Sequence, residues 1–356
     1  MRIAQIAHVS ESVPPKQYGG SERIVSYLTE ELVRLGHTVT LFASGDSVTG
    51  AELRSVWPRT MRNADVCIRE AVVELLLERA FGSSGEFDVI HSHLDFLAFP
   101  LIRRSRAPAV TTVHGKLNLP ELQTVYGYYP EVPLVSISYA QRHPCPQANW
   151  ISNVYHGLPA HLYRLHLAPG QYLAFLGRIS PEKGPEAAIR IAKQVGLPIR
   201  IAAKIDAVNL DYFHSAIEPL LDPPHVEFLG EVTDEEKDEF LGNAAALICP
   251  YWPESFGLVL IEALACGTPV ITHAHGSFPE IITHGVTGFL CRTQSDMIEA
   301  IGQLHRINRR QCRRVFDERF TAERMVQDYL KTYRHVILEH DHDKRRVPDI
   351  TKRSAA

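Results

Sequence analysis

Short apolar runs alternate along this chain with stretches whose apolar positions recur at helical spacing, the pattern of α/β layers built on parallel sheets. In the first half, Arg2 to Val9, Thr38 to Phe42, Asp88 to Ser92, Ala109 to Val113 and Pro133 to Ser136 predict strands. Glu22 to Leu35 predicts a helix that buries Ile24, Leu28, Leu32 and Leu35, with Ser21 as N-cap and Gly36 as its stop. From Asn153 to Pro169 the text turns loop-like, and a linker is expected there. The alternation restarts with Tyr172 to Gly177, Ile199 to Ala203, Val226 to Leu229, Ala246 to Cys249 and Pro269 to Thr272. Two Rossmann-like domains with parallel sheets facing across a cleft are the expected architecture, with domains at 1–165 and 166–325. A helix follows over Thr321 to Glu339, its segment 326–340 crossing back to the first domain, and a charged, disordered tail is expected over 341–356.

Composition narrows the function classes. A chain of 356 residues is long enough for two cores, and a net charge of −4 argues against nucleic acid or anionic lipid as the main partner. The clusters Arg103-Arg104-Arg106 and Arg309-Arg310-Arg313-Arg314 read as solvated helix faces and ends, with peripheral contact at a membrane surface as the lesser reading. Six cysteines without a C-x-x-C pair indicate neither a disulfide framework nor a thiolate zinc site, and fit a reducing compartment. No signal-peptide pattern and no bilayer-length apolar run are present, so a cytoplasmic protein without integral membrane association is expected.

The candidate chemistry gathers at strand ends. In "CPYWPESFGLVLIEALACGTPVIT" a buried strand runs into a loop and then a helix over Gly257 to Cys266, so Pro253 to Phe256 lie where open α/β sheets bind ligands. That helix is apolar nearly all round, and Glu262 inside it needs hydrogen-bond donors: the hydroxyls of a ribose diol, or a neighbouring loop. Glu254 either meets a ligand or sits in a turn. "FLGRISPEKGPEAAI" puts Arg178 and Lys183 on a glycine-flanked loop before a helix opened by Pro185, suited to a diphosphate or simply to solvent. Gly19-Gly20 before a helix would let backbone approach a phosphate or sugar, and His114 in "TTVHGK" ends an apolar strand. "VIHSHLDF" offers a rival, His91, His93 and Asp95 alternating on one strand face like the ligand run of a metallohydrolase. No second cluster completes that site, and a strand end is its bland alternative.

With the Glu254-x7-Glu262 pair, the Gly177-Arg178…Lys183-Gly184 loop, the Gly19-Gly20 loop and the Thr112-Val113-His114-Gly115 strand end in this order, the chain resembles retaining glycosyltransferases of family 4. The likeness spans residues 1 to about 335 and implies the GT-B fold, with an N-terminal acceptor domain and a C-terminal nucleotide-sugar donor domain. It implies that Arg178 and Lys183 bind the donor diphosphate, Glu262 the ribose and Glu254 the transferred sugar. Backbone N–H groups of Phe256, Gly257 and Leu258 would meet the distal phosphate and sugar, His114 would lie near the anomeric carbon and Gly20 near the phosphate. The expected enzyme is a metal-independent hexosyltransferase without a cofactor, moving a hexose from a donor such as UDP-glucose to a small-molecule or glycan acceptor by a front-face mechanism. A sugar-nucleotide epimerase of the same fold is the alternative. His156-Gly157-Leu158-Pro159 departs from the Asn-Gly-hydrophobic-Asp turn of many relatives, and the acceptor-facing loops 11–20, 44–65 and 115–130 match no substrate pattern, although Tyr126, Tyr128 and Tyr129 offer stacking surfaces.

Overall fold

The computed structural model describes residues 1–16, 19–61, 66–168, 170–250 and 254–346, with side chains described to residue 342. The chain divides into two units, one of Met1–Ser136, Pro144–Val154 and Val326–Ala356, the other of Ile137–His143 and Tyr155–Met325. Pro253 of the donor loop, Pro169 of the expected linker, residues 17, 18 and 62–65 of the acceptor loops, and the tail from residue 347 fall outside the described residues.

The first unit holds β1 (Arg2–Ile6), β2 (Thr38–Phe42), β3 (Glu52–Arg54), β4 (Val89–Ser92), β5 (Ala109–Thr112), β6 (Leu134–Ser136) and β7 (Trp150–Asn153). They form one parallel sheet in the order β3-β2-β1-β4-β5-β6-β7. Helices on both faces bury the central strands, which is why β1 and β4 read as apolar runs. The exceptions are polar: Gln5, His91, Ser92, Thr111 and Thr112 are all fully buried.

The second unit holds β8 (Tyr172–Arg178), β9 (Ile199–Lys204), β10 (Val226–Gly230), β11 (Ala244–Cys249), β12 (Val270–His273) and β13 (Gly288–Cys291). Its sheet is also parallel, in the order β10-β9-β8-β11-β12-β13. Both sheets are therefore doubly wound Rossmann-like layers, with the reversal of strand order between β1 and β4 in one and between β8 and β11 in the other.

Several expectations need correction. The first helix spans Gly20–Arg34 and opens from Gly19 without a side-chain cap, so Ser21 lies inside it, and Leu35 at its end is 37 % exposed. Strands β3, β7 and β13 were not predicted; all are sheet edges, and edge strands need no continuous apolar run. His91 is in β4, but His93 and Asp95 lie beyond its end, and Asp95 turns the backbone to φ 47°, so the three do not share a strand face. Residues Pro120–Tyr128 are helical; Tyr126 is buried edge-on against Phe99, and only Tyr128 stands out at 67 % exposure. Arg309 and Arg313 are not solvated. Arg309 donates to the carbonyls of His166, Gly242 and Ala244, and Arg313 to those of Ala160, Tyr163 and Ala265, of which Gly242 and Ala265 are the last residues of their helices, where backbone oxygens lack a partner within the helix. The last helix, Ala322–Arg346, continues through Asp341-His342-Asp343, so the expected disordered tail is helical to residue 346.

Candidate functional site

In the second unit the reversal of strand order brings two loops side by side, one leaving β8 and the other leaving β11. The β8 loop turns once through Pro181–Lys183 and enters the Pro185–Val195 helix through Gly184, at φ +64°. A side chain at Gly184 would press a Cβ to 2.9 Å from the Pro250 carbonyl, so glycine is what lets the two loops approach. The contact is chemical as well as steric, because the Lys183 ammonium pairs with the Glu254 carboxylate. Lys183 is buried and Glu254 partly exposed, which leaves the pair open on the carboxylate side.

Arg178 ends β8 with its guanidinium 3.6 Å from Asp206 Oδ2 and 3.9 Å from Glu182 Oε1. Its register partner on β9 is Lys204, whose Nζ lies 3.2 Å from Asp206 Oδ1. Burial alone would raise the Glu182 carboxyl; its own backbone N–H, Ser180 and the cations Arg178 and Lys183 hold it below the usual range. The strand ends thus carry three cations, Arg178, Lys183 and Lys204. The third was missed by the sequence reading, although its place opposite Arg178 follows from β8–β9 pairing.

Gly257, at φ +111°, starts the Leu258–Ala265 helix, and a Cβ there would come within 3.1 Å of the Phe278 ring. The carbonyls before the helix are tied down from outside: Ser277 donates to Glu254 O at 2.9 Å and to Phe256 O at 2.5 Å, and Ser138 to Ser255 O at 2.6 Å. With the oxygens held this way, the backbone of Phe256, Gly257 and Leu258 leads into the helix N-terminus, whose first N–H groups have no partner within the helix. Phe256 itself is buried against His156 and Tyr155. The Ser138 segment comes from the Ile137–His143 excursion, which Glu280 anchors by accepting the N–H groups of Tyr139 and Ala140, both at 2.8 Å. At the departing turn, a Cβ on Gly157 would collide with the Thr321 carbonyl, and Leu158 bridges to Thr321.

Glu262 is 4 % exposed, and its Oε1 accepts from Tyr163 OH at 3.2 Å and from Lys237 Nζ at 3.1 Å. Lys237 also reaches Asp234 Oδ1 at 3.2 Å. The donors that a buried carboxylate requires are therefore partly supplied from within, by Tyr163 and Lys237, for which no motif stood in the sequence.

His114 and Gly20 lie in the first unit. Gly20 is the first residue of its helix, and a Cβ on the preceding Gly19 would come within 2.7 Å of Pro15. His114 follows β5 with its N–H on Asp95 Oδ1 at 3.0 Å. Burial, with His8 adding to it, lowers its imidazole to about 3, so the ring is neutral at physiological pH. Burial also raises Asp95 to about 6, against the pull of the N–H groups of His114 and Gly115. The rival metal run has other employment: His91 engages Tyr333 OH and Thr112 Oγ1, each at 2.7 Å, while His93 engages His114 and Gln5.

Among the described residues one trio has the side chains of a metal site, His166, Asp238 and Glu239. Arg164 already occupies it, at 2.6 Å from Asp238 Oδ2 and 2.5 Å from Glu239 Oε1. Burial would raise the Asp238 carboxyl, but Arg164 and His166 overcome this and hold it below the usual range. No helix among the described residues is long and apolar enough to cross a membrane.

Comparison with known proteins adds an independent view. The family model "Glycosyltransferase Family 4" matches residues 18–178, and "Glycosyl transferases group 1" matches residues 167–315. A D-inositol 3-phosphate glycosyltransferase of Mycobacteroides abscessus is 27% identical over 85% of this chain and 81% of its own length. Its counterpart in Mycobacterium avium is 28% identical over 81% of each. Among solved structures, sucrose-phosphate synthase from Thermosynechococcus elongatus superposes with a TM-score of 0.78 at 18% identity, covering 95% of this chain and 99% of that one. Anabaena HepE in complex with UDP and glucose gives a TM-score of 0.71 at 19% identity, covering 93% and 99%.

Proposed function

We propose that this chain, which belongs to the GT-B fold glycosyltransferases and is related to both families it matches, moves a hexose from a nucleotide-diphosphate sugar to an acceptor hydroxyl with retention of configuration. The observation that carries the reading is the meeting of the Lys183 and Glu254 loops at the strand-order reversal of the second unit, with Arg178 and the Leu258–Ala265 helix N-terminus beside them. UDP-glucose is the proposed donor; Anabaena HepE, of the same fold, holds it in its structure.

The chemistry follows from charge. Breaking the bond between the anomeric carbon and the diphosphate leaves negative charge on phosphate oxygens and an electron-poor sugar ring. Arg178 and Lys183 meet the growing phosphate charge from fixed positions, and the helix N-terminus adds oriented N–H groups. A bound sugar draws Glu254 into hydrogen bonds with its hydroxyls, which releases Lys183 toward the phosphate. Glu262, held by Tyr163 and Lys237, presents its remaining lone pairs to the ribose diol. The acceptor attacks from the diphosphate's own face, and a leaving phosphate oxygen takes its proton, so no side-chain nucleophile and no metal are needed. His114, neutral, hydrogen-bonds a sugar hydroxyl as the ring flattens.

Thermal-shift measurement against a panel of nucleotide sugars is the first test, since a donor that binds only the folded protein raises its melting temperature. UDP-glucose is expected to give the largest shift, and NMR of the product is expected to show the donor's anomer, with EDTA leaving turnover intact. Donor converted with no acceptor present would make the protein an epimerase. Activity lost with EDTA and restored by a divalent cation would end the metal-independent scheme.

A further inference from the structure

In the first unit seven polar side chains stand in single file. His114 Nε2 lies 2.9 Å from His93 Nδ1, and His93 Nε2 lies 2.9 Å from Gln5 Oε1. Gln5 Nε2 donates to Tyr333 OH at 2.9 Å, Tyr333 OH lies 2.7 Å from His91 Nδ1, His91 Nε2 lies 2.7 Å from Thr112 Oγ1, and Thr112 Oγ1 lies 2.9 Å from Tyr329 OH. All but His114 are buried. Such a file costs heavily if any member is left unsatisfied, so its donors and acceptors must agree from end to end.

The amide of Gln5 decides the direction. Its oxygen can only accept, so His93 carries its proton on Nε2. A neutral His93 then offers a lone pair on Nδ1, and His114 donates to it from Nε2. On the other side the amide nitrogen can only donate, so the Tyr333 hydroxyl hydrogen goes to His91 Nδ1. His91 in turn donates from Nε2 to Thr112, and Thr112 donates to Tyr329. Turning the amide over would reverse every one of these bonds together.

We propose that Gln5 is a positioning residue whose amide sets the polarity of this file, holding His93 and His114 as their Nε2–H tautomers. The expected effect on turnover rests on the function proposed above; the tautomers do not. The last helix, Ala322–Arg346, enters the same logic, because it places Tyr333 inside the file and Tyr329 at its end.

The test begins with the unmodified protein, labelled with 15N-histidine and free of ligand. Long-range proton–nitrogen spectra at pH 7 are expected to show His91, His93 and His114 all neutral with the proton on Nε2. Any of the three found mainly as the Nδ1–H tautomer, or titrating between pH 5.5 and 8, would overturn the proposal whatever the donor is. Tyr333→Phe then releases the far side of the amide: His114 is expected to become a mixture of tautomers, and kcat for transfer or donor hydrolysis to fall about tenfold with donor KM changed by less than about threefold. Thr332→Val removes a buried hydroxyl of the same helix that bonds Ser152 at 3.0 Å, outside the file, and is expected to move neither tautomers nor kcat. Unchanged tautomers in Tyr333→Phe, or an equal loss of kcat in Thr332→Val, would reduce the file to packing. Intact tautomer spectra without any nucleotide-sugar turnover would instead sink the proposed function and leave the file standing.

Discussion

The two units share a scaffold and oppose each other in chemistry. Each is a parallel sheet whose strand order reverses beside its first strand, and each gathers its polar residues at that reversal. In the first unit a buried file of imidazoles, hydroxyls and one amide is uncharged and hydrogen-bonded in series, with the Asp95 carboxyl beside it on the His114 N–H. In the second the polar residues are ion pairs: Lys183 with Glu254, Lys237 with Glu262, Arg178 and Lys204 with Asp206. The fold alone therefore says little about reaction; what differs is whether the strand ends present dipoles or charges. A charged end suits the part of a substrate that carries charge throughout, and a neutral, pre-aligned end suits a group that must be recognised by the direction of its hydrogen bonds.

The sharpest way to break this comparison is to remove the charges. Arg178→Ala and Lys183→Ala are each expected to lower turnover by about 10²- to 10³-fold, the usual loss for a fixed group facing developing charge, while the melting temperature moves little. Enzyme assay beside calorimetric melting separates the two effects. If either variant fails to fold, the cations are structural and the contrast between the units loses its functional meaning.

Glu262→Gln is a smaller cut. The amide keeps the size and keeps a bond to Tyr163, but loses the charge facing Lys237 and the ribose, so nucleotide-sugar binding is expected to weaken by roughly 1.5 to 3 kcal/mol. Titration calorimetry with UDP-glucose reads this directly. Unchanged affinity would mean that Tyr163 and Lys237 exhaust the carboxylate and that the ribose is held elsewhere.

Acid should also tell the units apart. Burial lowers His8, His91 and His114 from the ordinary value of 6.5, His114 to about 3, so below pH 6.5 the unfolded chain binds protons that the folded unit refuses. The stability these rings contribute is complete above that pH and is lost as the pH falls. Asp95 works in the opposite sense: raised from 3.8 to about 6, it takes its proton first in the folded state, and so adds stability as the pH falls through 6. With His37 lowered as well, four rings against one raised carboxyl leave a net loss of stability as the pH falls from 6.5 toward 5. In the second unit His273 is similarly lowered by burial, while the Asp238 pair holds until the pH nears the carboxylate range. Hydrogen exchange at pH 7 and 5, corrected for intrinsic rates, is expected to show protection falling mainly in β1, β4 and β5. An equal fall in β8 and β11 would erase the distinction.

How much of this was legible in the sequence differs between the units for a physical reason. The second unit's site is local: Arg178, Lys183, Glu254 and Glu262 each lie on one short strand-loop-helix segment, so spacing and glycines announced them. Its supports, Tyr163, Lys237, Ser138 and Ser277, arrive from distant segments and carried no pattern. In the first unit His91-x-His93-x-Asp95 looked like metal ligands because alternation suggested a common face, and only the left-handed turn at Asp95 and the partners Gln5 and Tyr333 show otherwise. Those partners sit at opposite ends of the chain, and no local pattern joins them. Arg309 and Arg313 misled in the same way, since a run of arginines looks solvated until the carbonyls it closes are known.

The smallest expected effect concerns the end of the last helix. Among its described residues Val336, at 5 % exposure, is the last one buried; four residues later His340 Nε2 meets the Arg106 carbonyl at 2.9 Å, and Asp341 and His342 are exposed. The helix thus serves the first unit through Tyr329, Tyr333 and Val336. A chain stopped after His340 is expected to lose no more than about 0.5 kcal/mol of stability and no turnover, whereas Val336→Ala, which empties a packed position, costs roughly 1 to 2 kcal/mol. Equilibrium urea unfolding of the two variants makes the comparison. The D-x-D at Asp341 and Asp343 goes with the deleted segment, so a truncated enzyme that turns over normally also removes that pair from any metal scheme. One that folds normally but loses turnover would place a substrate contact beyond His340, and the neutral first unit would then need a charged arm to complete its work.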